Sequence, residues 1–112
     1  MNKMNLDFKT HDEESRTIIN GTCLQGYIHA HYRDLIKKFG EPGTGDGYKL
    51  DAEWIIEFED GTVASVYNWK NGLNYCGNNG IPVEHIYVWH IGGKNGTNAV
   101  TKVKLVLNTK EK

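Results

Sequence analysis

The stretch DAEWIIEFEDGTVASVYNWK, from Asp51 to Lys70, alternates apolar and polar side chains on either side of Asp60-Gly61. Period-two alternation sends successive side chains to opposite faces of a strand. Asp-Gly is a strong signal for a two-residue hairpin turn, because both positions tolerate positive φ. Such a turn pairs Glu59 with Thr62. Phe58, Ile56, Trp54 and Ala52 then oppose Val63, Ser65, Tyr67 and Trp69, and these eight share one aromatic, apolar face. Glu53, Ile55, Glu57, Ala64, Val66 and Asn68 share the other, which reads as mixed and wet, with Ile55 and Val66 a small exposed pair.

Upstream, HAHYRDLIKKF places Tyr32, Leu35, Ile36 and Phe39 at i, i+3, i+4 and i+7, a helical stripe. Lys37 and Lys38 lie in the last turn, where positive charge suits the helix dipole. Gly40 and Pro42 stop the helix. The glycine-rich GEPGTGDGYK (Gly40–Lys49) is a loop, and NWKNGLNYCGNNGIP (Asn68–Pro82) is a second one. TIING (Thr17–Gly21) reads as a short strand closed by Asn-Gly. VEHIYVWHIGG reads as a third strand ended by Ile91 and Gly92-Gly93. In the last segment the valines favour strand, while the cap at Thr97 or Asn98 and the spacing of Val100, Val103, Val106 and Leu107 favour helix, which is the reading adopted.

These elements predict an α+β domain: an antiparallel sheet with one central hairpin, packed on one face by two helices. The 112 residues suffice for one domain. Residues 1–16 are polar without a period and read as a flexible arm, leaving 17–108 as the folded unit. The formal net charge of −1 opposes direct binding to duplex nucleic acid, which needs a basic field, and opposes a membrane-surface role. No apolar run reaches bilayer length and the N-terminus has no signal-peptide stretch. A cytoplasmic protein with Cys23 and Cys76 as free thiols is expected. Asn20 and Asn95 match the glycosylation triplet, which carries no meaning in that compartment.

Enzymatic readings are weakly supported. His29, His31, His85, His90, Cys23 and Cys76 lack the ligand spacing of zinc sites, so neither a metal nor another cofactor is expected. Cys23 or Cys76 with His85 or His90 would supply a nucleophile and base, but no motif surrounds them. Glu53 and Glu57 share a strand face, a paired-carboxylate arrangement of the kind that glycosidases use and that solvated strands also show. The Gly40–Lys49 loop follows a helix and leads into a strand, the reverse of a phosphate loop, and carries Glu41 and Asp46. No catalytic residue is assigned.

Binding suits the composition better. There are six Tyr, three Trp and three Phe. Aromatic residues gather beside the loops: Tyr48, then Trp69 and Tyr75, then Tyr87 and Trp89 near Gly92-Gly93. Tyr and Trp offer large contact area with a polar handle and stack on nucleobases. The expected ligand-binding residues are Trp69, Tyr67, Tyr48, Tyr75, Asn68 and Lys70, where the two loops meet at a sheet end. There the rings would sandwich a purine, Asn68, Asn71 and Asn74 would read its polar edge, and Lys70 or Lys49 would meet a phosphate.

From about Asn20 to Leu107 the chain resembles small proteins of tailed bacteriophages and prophages, through LQGYI, YRDLIKKFGEP, GDGYKLDAEW, IEFEDGTVASVYNWK and VWHIGG. The resemblance implies a compact α+β fold with a helix after VWHIGG and carries no catalytic motif. It also implies a non-enzymatic protein acting by binding in the host cell cytoplasm, such as a sponge for a nucleotide immune signal. The alternative is an anti-CRISPR-like inhibitor that docks on a host Cas protein. A homo-oligomer stays open.

Overall fold

The structure is a computed structural model and describes residues 6–12, 18–95 and 97–108. The strands are β1 (Phe8–His11), β2 (Cys23–His29), β3 (Glu53–Phe58), β4 (Val63–Tyr67) and β5 (Val88–Gly93). The helices are α1 (Tyr32–Phe39), the four-residue α2 (Leu73–Cys76) and α3 (Ala99–Asn108). The five strands form one antiparallel sheet in the order β1-β3-β4-β5-β2. The expected α+β class and the terminal helix are therefore present.

The hairpin is present, but its turn is one residue longer than the Asp-Gly signal suggests. Phe58 N–H donates to Thr62 O at 2.8 Å and Gly61 N–H donates back to Phe58 O at 2.8 Å. The loop is thus Glu59-Asp60-Gly61, with Gly61 at φ 90°, the left-handed residue that closes a three-residue hairpin. Asp60 Oδ1 caps it by accepting from Thr62 N–H at 2.9 Å. One extra loop residue reverses the parity of β4 relative to the expected register. Trp54 now opposes Val66, Ile56 opposes Ala64, and Glu53 opposes Tyr67. The core face therefore takes Ala64 and Val66, while Val63, Ser65 and Tyr67 turn to the opposite face. The expected exposed pair does not exist: Val66 is in the core, and Ile55 is buried on the other side of the sheet.

The core lies between one sheet face and α1 with α3. Leu35 and Phe39 are buried and Tyr32 and Ile36 pack beside them. Trp54 and Trp89 meet edge to face at 5.4 Å. Their indole N–H groups donate to Gly40 O at 2.7 Å and Ala30 O at 3.0 Å, so neither buried ring leaves a donor unpaired. Val103 and Val106 bring α3 into the same cluster. Lys102 on α3 is also buried; its Nζ lies 3.1 Å from Asp60 Oδ2 and 5.3 Å from the Phe58 ring centroid, fastening the helix to the hairpin turn.

Three further expectations are corrected. Part of the presumed arm is strand β1, whose Phe8 packs edge-on against Phe39 at 5.3 Å and Phe58 at 6.1 Å; residues 1–5 and 13–17 lie outside the described set. Ile18–Gly21 is a turn instead of a strand, with Thr22 N–H and Oγ1 both donating to Ile19 O. The third strand starts only at Val88, after a 3₁₀ turn at Val83–His85, and runs through Gly92-Gly93. Those glycines belong to the strand, which ends at Gly93, and mark close approaches: a Cβ on Gly92 would lie 2.6 Å from Ser65 Oγ and one on Gly93 2.7 Å from Ala99 Cβ.

Candidate functional site

The changed register creates the site. With Ser65 and Tyr67 on the face away from the helices, Tyr67 sits opposite His90, and His90 sits opposite Tyr27 across β4, β5 and β2. The rings touch in sequence. Tyr27 to His90 is 4.9 Å, His90 to Tyr67 is 5.5 Å and Tyr67 to Trp69 is 6.3 Å, a track of four aromatic rings over three strands. Burial lowers the His90 pKa, favouring a neutral imidazole at neutral pH. Burial pushes the Tyr67 phenol up, and the charges of Glu53, Tyr27 and Cys23 act the same way. Its O–H therefore stays available as a donor.

Both loops reach the end of this track. Tyr48 and Tyr75 meet at 5.1 Å between ring centroids, and Lys70 N–H donates to Lys49 O at 2.8 Å. Trp69, Tyr48 and Tyr75 are 41%, 56% and 39% exposed, so these three rings are surface and not core. Lys49 Nζ lies 5.6 Å from the Trp69 centroid, and Lys70 Nζ lies 5.5 Å from both Trp69 and Tyr75. Lys70 adopts φ 58°, a left-handed conformation that is uncommon for a side-chain-bearing residue. Its carbonyl accepts from Cys76 Sγ at 3.3 Å.

Asparagines hold the loops in this arrangement. Asn68 is fully buried. Its Oδ1 accepts from Asp51 N–H at 2.7 Å and Ala52 N–H at 3.1 Å, while Nδ2 donates to Asp51 Oδ1 at 2.9 Å and Asn71 Oδ1 at 3.0 Å. Asn74 N–H donates to Asp51 Oδ2 at 3.2 Å and its Nδ2 to Leu50 O at 3.1 Å. The expected reader of a purine edge, Asn68, is thus a buried bracket with both ends of its amide engaged. Asn71 and Asn74 serve the same bracket. Asp46 steadies the other loop, its Oδ1 accepting from the N–H groups of Tyr48 and Lys49 at 2.9 Å and of Leu50 at 3.1 Å. Desolvation raises its pKa, but these three hydrogen bonds with the Lys49 charge outweigh that and hold the carboxyl below its usual value.

Between the track and the first loop lies a hollow of about 190 Å³, lined among others by Tyr67, Trp69, Ser65, Gly92, Glu53 and Asp46. A cavity of about 150 Å³ holds a benzene ring, so this one takes a single planar ring system and leaves the rest of a larger ligand outside. Of the six expected residues, the structure brings Trp69, Tyr67, Tyr48, Tyr75 and Lys70 to one surface. Trp89, expected in an aromatic cluster near Gly92-Gly93, is buried in the core, and Tyr87 instead packs against His29 and His31. Tyr27 and His90 were not foreseen. Their signal was the alternation itself: once Trp89 faces inward, His90 must face outward, and its cross-strand neighbour follows.

Some of the residues weighed for enzymatic chemistry make contacts within the protein. Glu57 Oε1 accepts from His11 Nε2–H at 2.9 Å. Cys23 Sγ lies 3.2 Å from Gln25 Nε2 and 3.4 Å from Asn95 Oδ1. Among the described residues no group of three or more His, Cys, Asp or Glu side chains is placed to hold a metal ion, and no helix is long and apolar enough to cross a membrane. No protein-family model matches the chain, and no curated protein matches it.

Proposed function

We propose that this is a non-enzymatic binding protein that holds a nucleotide, in the phage accessory setting that its sequence resemblance implies, and that it acts by sequestering a nucleotide signal of host defence. The observation that carries this reading is the placement of the Lys49 and Lys70 ammonium groups near the exposed Trp69 ring, 5.5–5.6 Å from its centroid, where that ring lines a ring-sized hollow. A base stacked on Trp69 or Tyr67 would leave its phosphate beside two ammonium groups, which bind phosphate as point charges. Thermal-shift screening against cyclic dinucleotides, cyclic trinucleotides and cyclic ADP-ribose isomers tests it, since a ligand of the folded state raises the melting temperature. Stacking contributes about 1–3 kcal/mol per base, so Trp69→Ala should weaken the best ligand by roughly 5- to 150-fold in calorimetric titration.

One observation favours a second reading, docking on a host protein. The aromatic surface continues past the hollow to Tyr27, with Leu24 and Val88 also exposed on β2 and β5, a wider area than one nucleotide covers. Trp and Tyr are typical anchors of such interfaces. If no nucleotide binds tighter than millimolar while wild-type protein retains a Cas effector that Trp69→Ala releases, the docking reading replaces the first.

A further inference from the structure

Strand β2 lies at an edge of the sheet, and its outer side is bare. Successive residues of an antiparallel strand turn their N–H and C=O groups to alternate sides. Ala30 N–H donates to Tyr87 O at 2.8 Å, so Ile28, opposite Trp89, also faces β5. Tyr27 and His29 then turn their backbone groups away from the sheet, where those groups have no hydrogen-bond partner among the described residues. This edge is also unguarded. Sheet edges are commonly blunted by lysine, by proline or by being short. The opposite edge, β1, has four residues and carries Lys9. β2 has seven, CLQGYIH, with neither lysine nor proline. Its register shifts between Leu24 and Gly26, which leaves Gly26 to His29 as the regular length.

Helix α3 turns this edge into a groove. Tyr27, Ile28 and His29 form one wall and Lys104, Leu107 and Asn108 the other, around about 350 Å³ of open space. An extended segment lying there would pair with the outward groups of Tyr27 and His29 as a sixth strand. Its alternate side chains would point to opposite faces. Those on the helix side meet Ile28 and Leu107, which belong to the apolar cluster or pack on it. Charge then selects the occupant. Lys104 is exposed and has no ion pair among the described residues. A second copy of β2 would bring no acidic side chain, and its own α3 would bring another Lys104. A partner carrying Asp or Glu supplies the missing charge.

We propose that the groove between β2 and α3 binds an extended, acidic peptide segment of another protein by strand addition. In this mode main-chain hydrogen bonds supply affinity and alternate side chains supply specificity. The outward groups of Tyr27 and His29 make the first contribution. Lys104, with the apolar floor of Ile28 and Leu107, makes the second. The groove is separate from the hollow at Trp69, and the inference does not rest on the nucleotide reading.

Panning a displayed library of random linear peptides against the immobilised full-length protein tests it, with the enriched peptides synthesised for calorimetric titration. They are expected to carry Asp or Glu beside β-branched residues. Lys104→Glu should weaken them by about two- to fivefold, the size of an exposed ion pair, and should turn a repeated selection toward Lys or Arg. His29→Pro removes an outward N–H, a change that edge strands tolerate, and should weaken them by roughly three- to tenfold, the loss of one hydrogen bond. Lys104 is exposed, so its variant decides even if His29→Pro fails to fold. Absence of enrichment, or enriched peptides that are indifferent to Lys104→Glu or released only by Trp69→Ala, overturns the groove as an acidic-peptide site. So does a dimer in light scattering that His29→Pro dissociates, because a second copy would then hold the edge.

Discussion

Asn68 shows how one side chain can look like a ligand contact and be a brace. Its position beside Trp69 suggested a reader of a base edge, yet it makes four hydrogen bonds within the protein. Asn68→Ala would leave the Asp51 and Ala52 N–H groups unpaired, each a buried donor that costs about 1–3 kcal/mol. Urea unfolding should show that loss, and an unchanged midpoint would return Asn68 to the list of contact residues. Lys70 is the opposite case. A left-handed backbone costs a side-chain-bearing residue roughly 1–2 kcal/mol, and glycine loses about 0.5–1 kcal/mol more chain entropy on folding. Lys70→Gly should therefore be neutral or slightly stabilising in the same measurement, by up to about 1 kcal/mol, while nucleotide binding falls. A clear loss of stability would mean that the ammonium serves the fold and not the site. Sequence reasoning found both residues and could not tell them apart, because burial depends on loop contacts that no local pattern encodes.

Strand β4 was misread for a definable reason. Asp60-Gly61 is compatible with a two-residue turn and with a three-residue one, and only the cross-strand bonds at Phe58 and Thr62 distinguish them. The inward face of β3 was legible because Trp54, Ile56 and Phe58 are unmistakably apolar, whereas β4 offers Val63 and Val66 on opposite parities. The turn also sets how α3 docks. The Asp60 carboxyl is pulled down to about 2 from 3.8, first by the Thr62 backbone N–H, then by the Thr62 side chain and Lys102. A carboxyl whose folded pKa is depressed contributes stability that is complete above its unfolded value and is lost as pH falls through the folded one. Acid unfolding should therefore steepen from about pH 3.8 down to about 2, and Asp60→Asn should flatten that limb. Identical acid profiles would remove the Lys102–Asp60 pair from the account. At the far edge, Phe8→Ala should cost about 2–3 kcal/mol, less than a fully buried phenylalanine, because β1 is a packed strand and not an arm. No loss in chemical denaturation would restore the arm.

The two faces of the sheet divide the work of the fold. The face under α1 and α3 carries the tryptophan pair and the aliphatic cluster, and the opposite face carries the aromatic track with its hollow. Trp54→Ala should lower stability by about 3–5 kcal/mol, and Trp69→Ala should leave the melting midpoint nearly unchanged while affinity drops. Comparable destabilisation by the two would place Trp69 in the core. The α+β class, α1, α3 and the meeting of the two loops could be read from sequence, since each rests on a strong local signal. Strands β1 and β2 could not: both lie at sheet edges, where only Ile28 of β2 is buried and alternation fades. With β2 unseen, Tyr27 had no place in the site.

The partition of the three tryptophans also has an optical consequence. Two indoles sit in dry surroundings and emit at shorter wavelength, while Trp69 alone faces water beside two ammonium groups. The long-wavelength side of the emission band should therefore report mainly on Trp69. A stacked base would quench that emission and leave the blue component untouched, so the unlabelled protein carries its own readout of site occupancy, and Trp69→Phe supplies the matching blank.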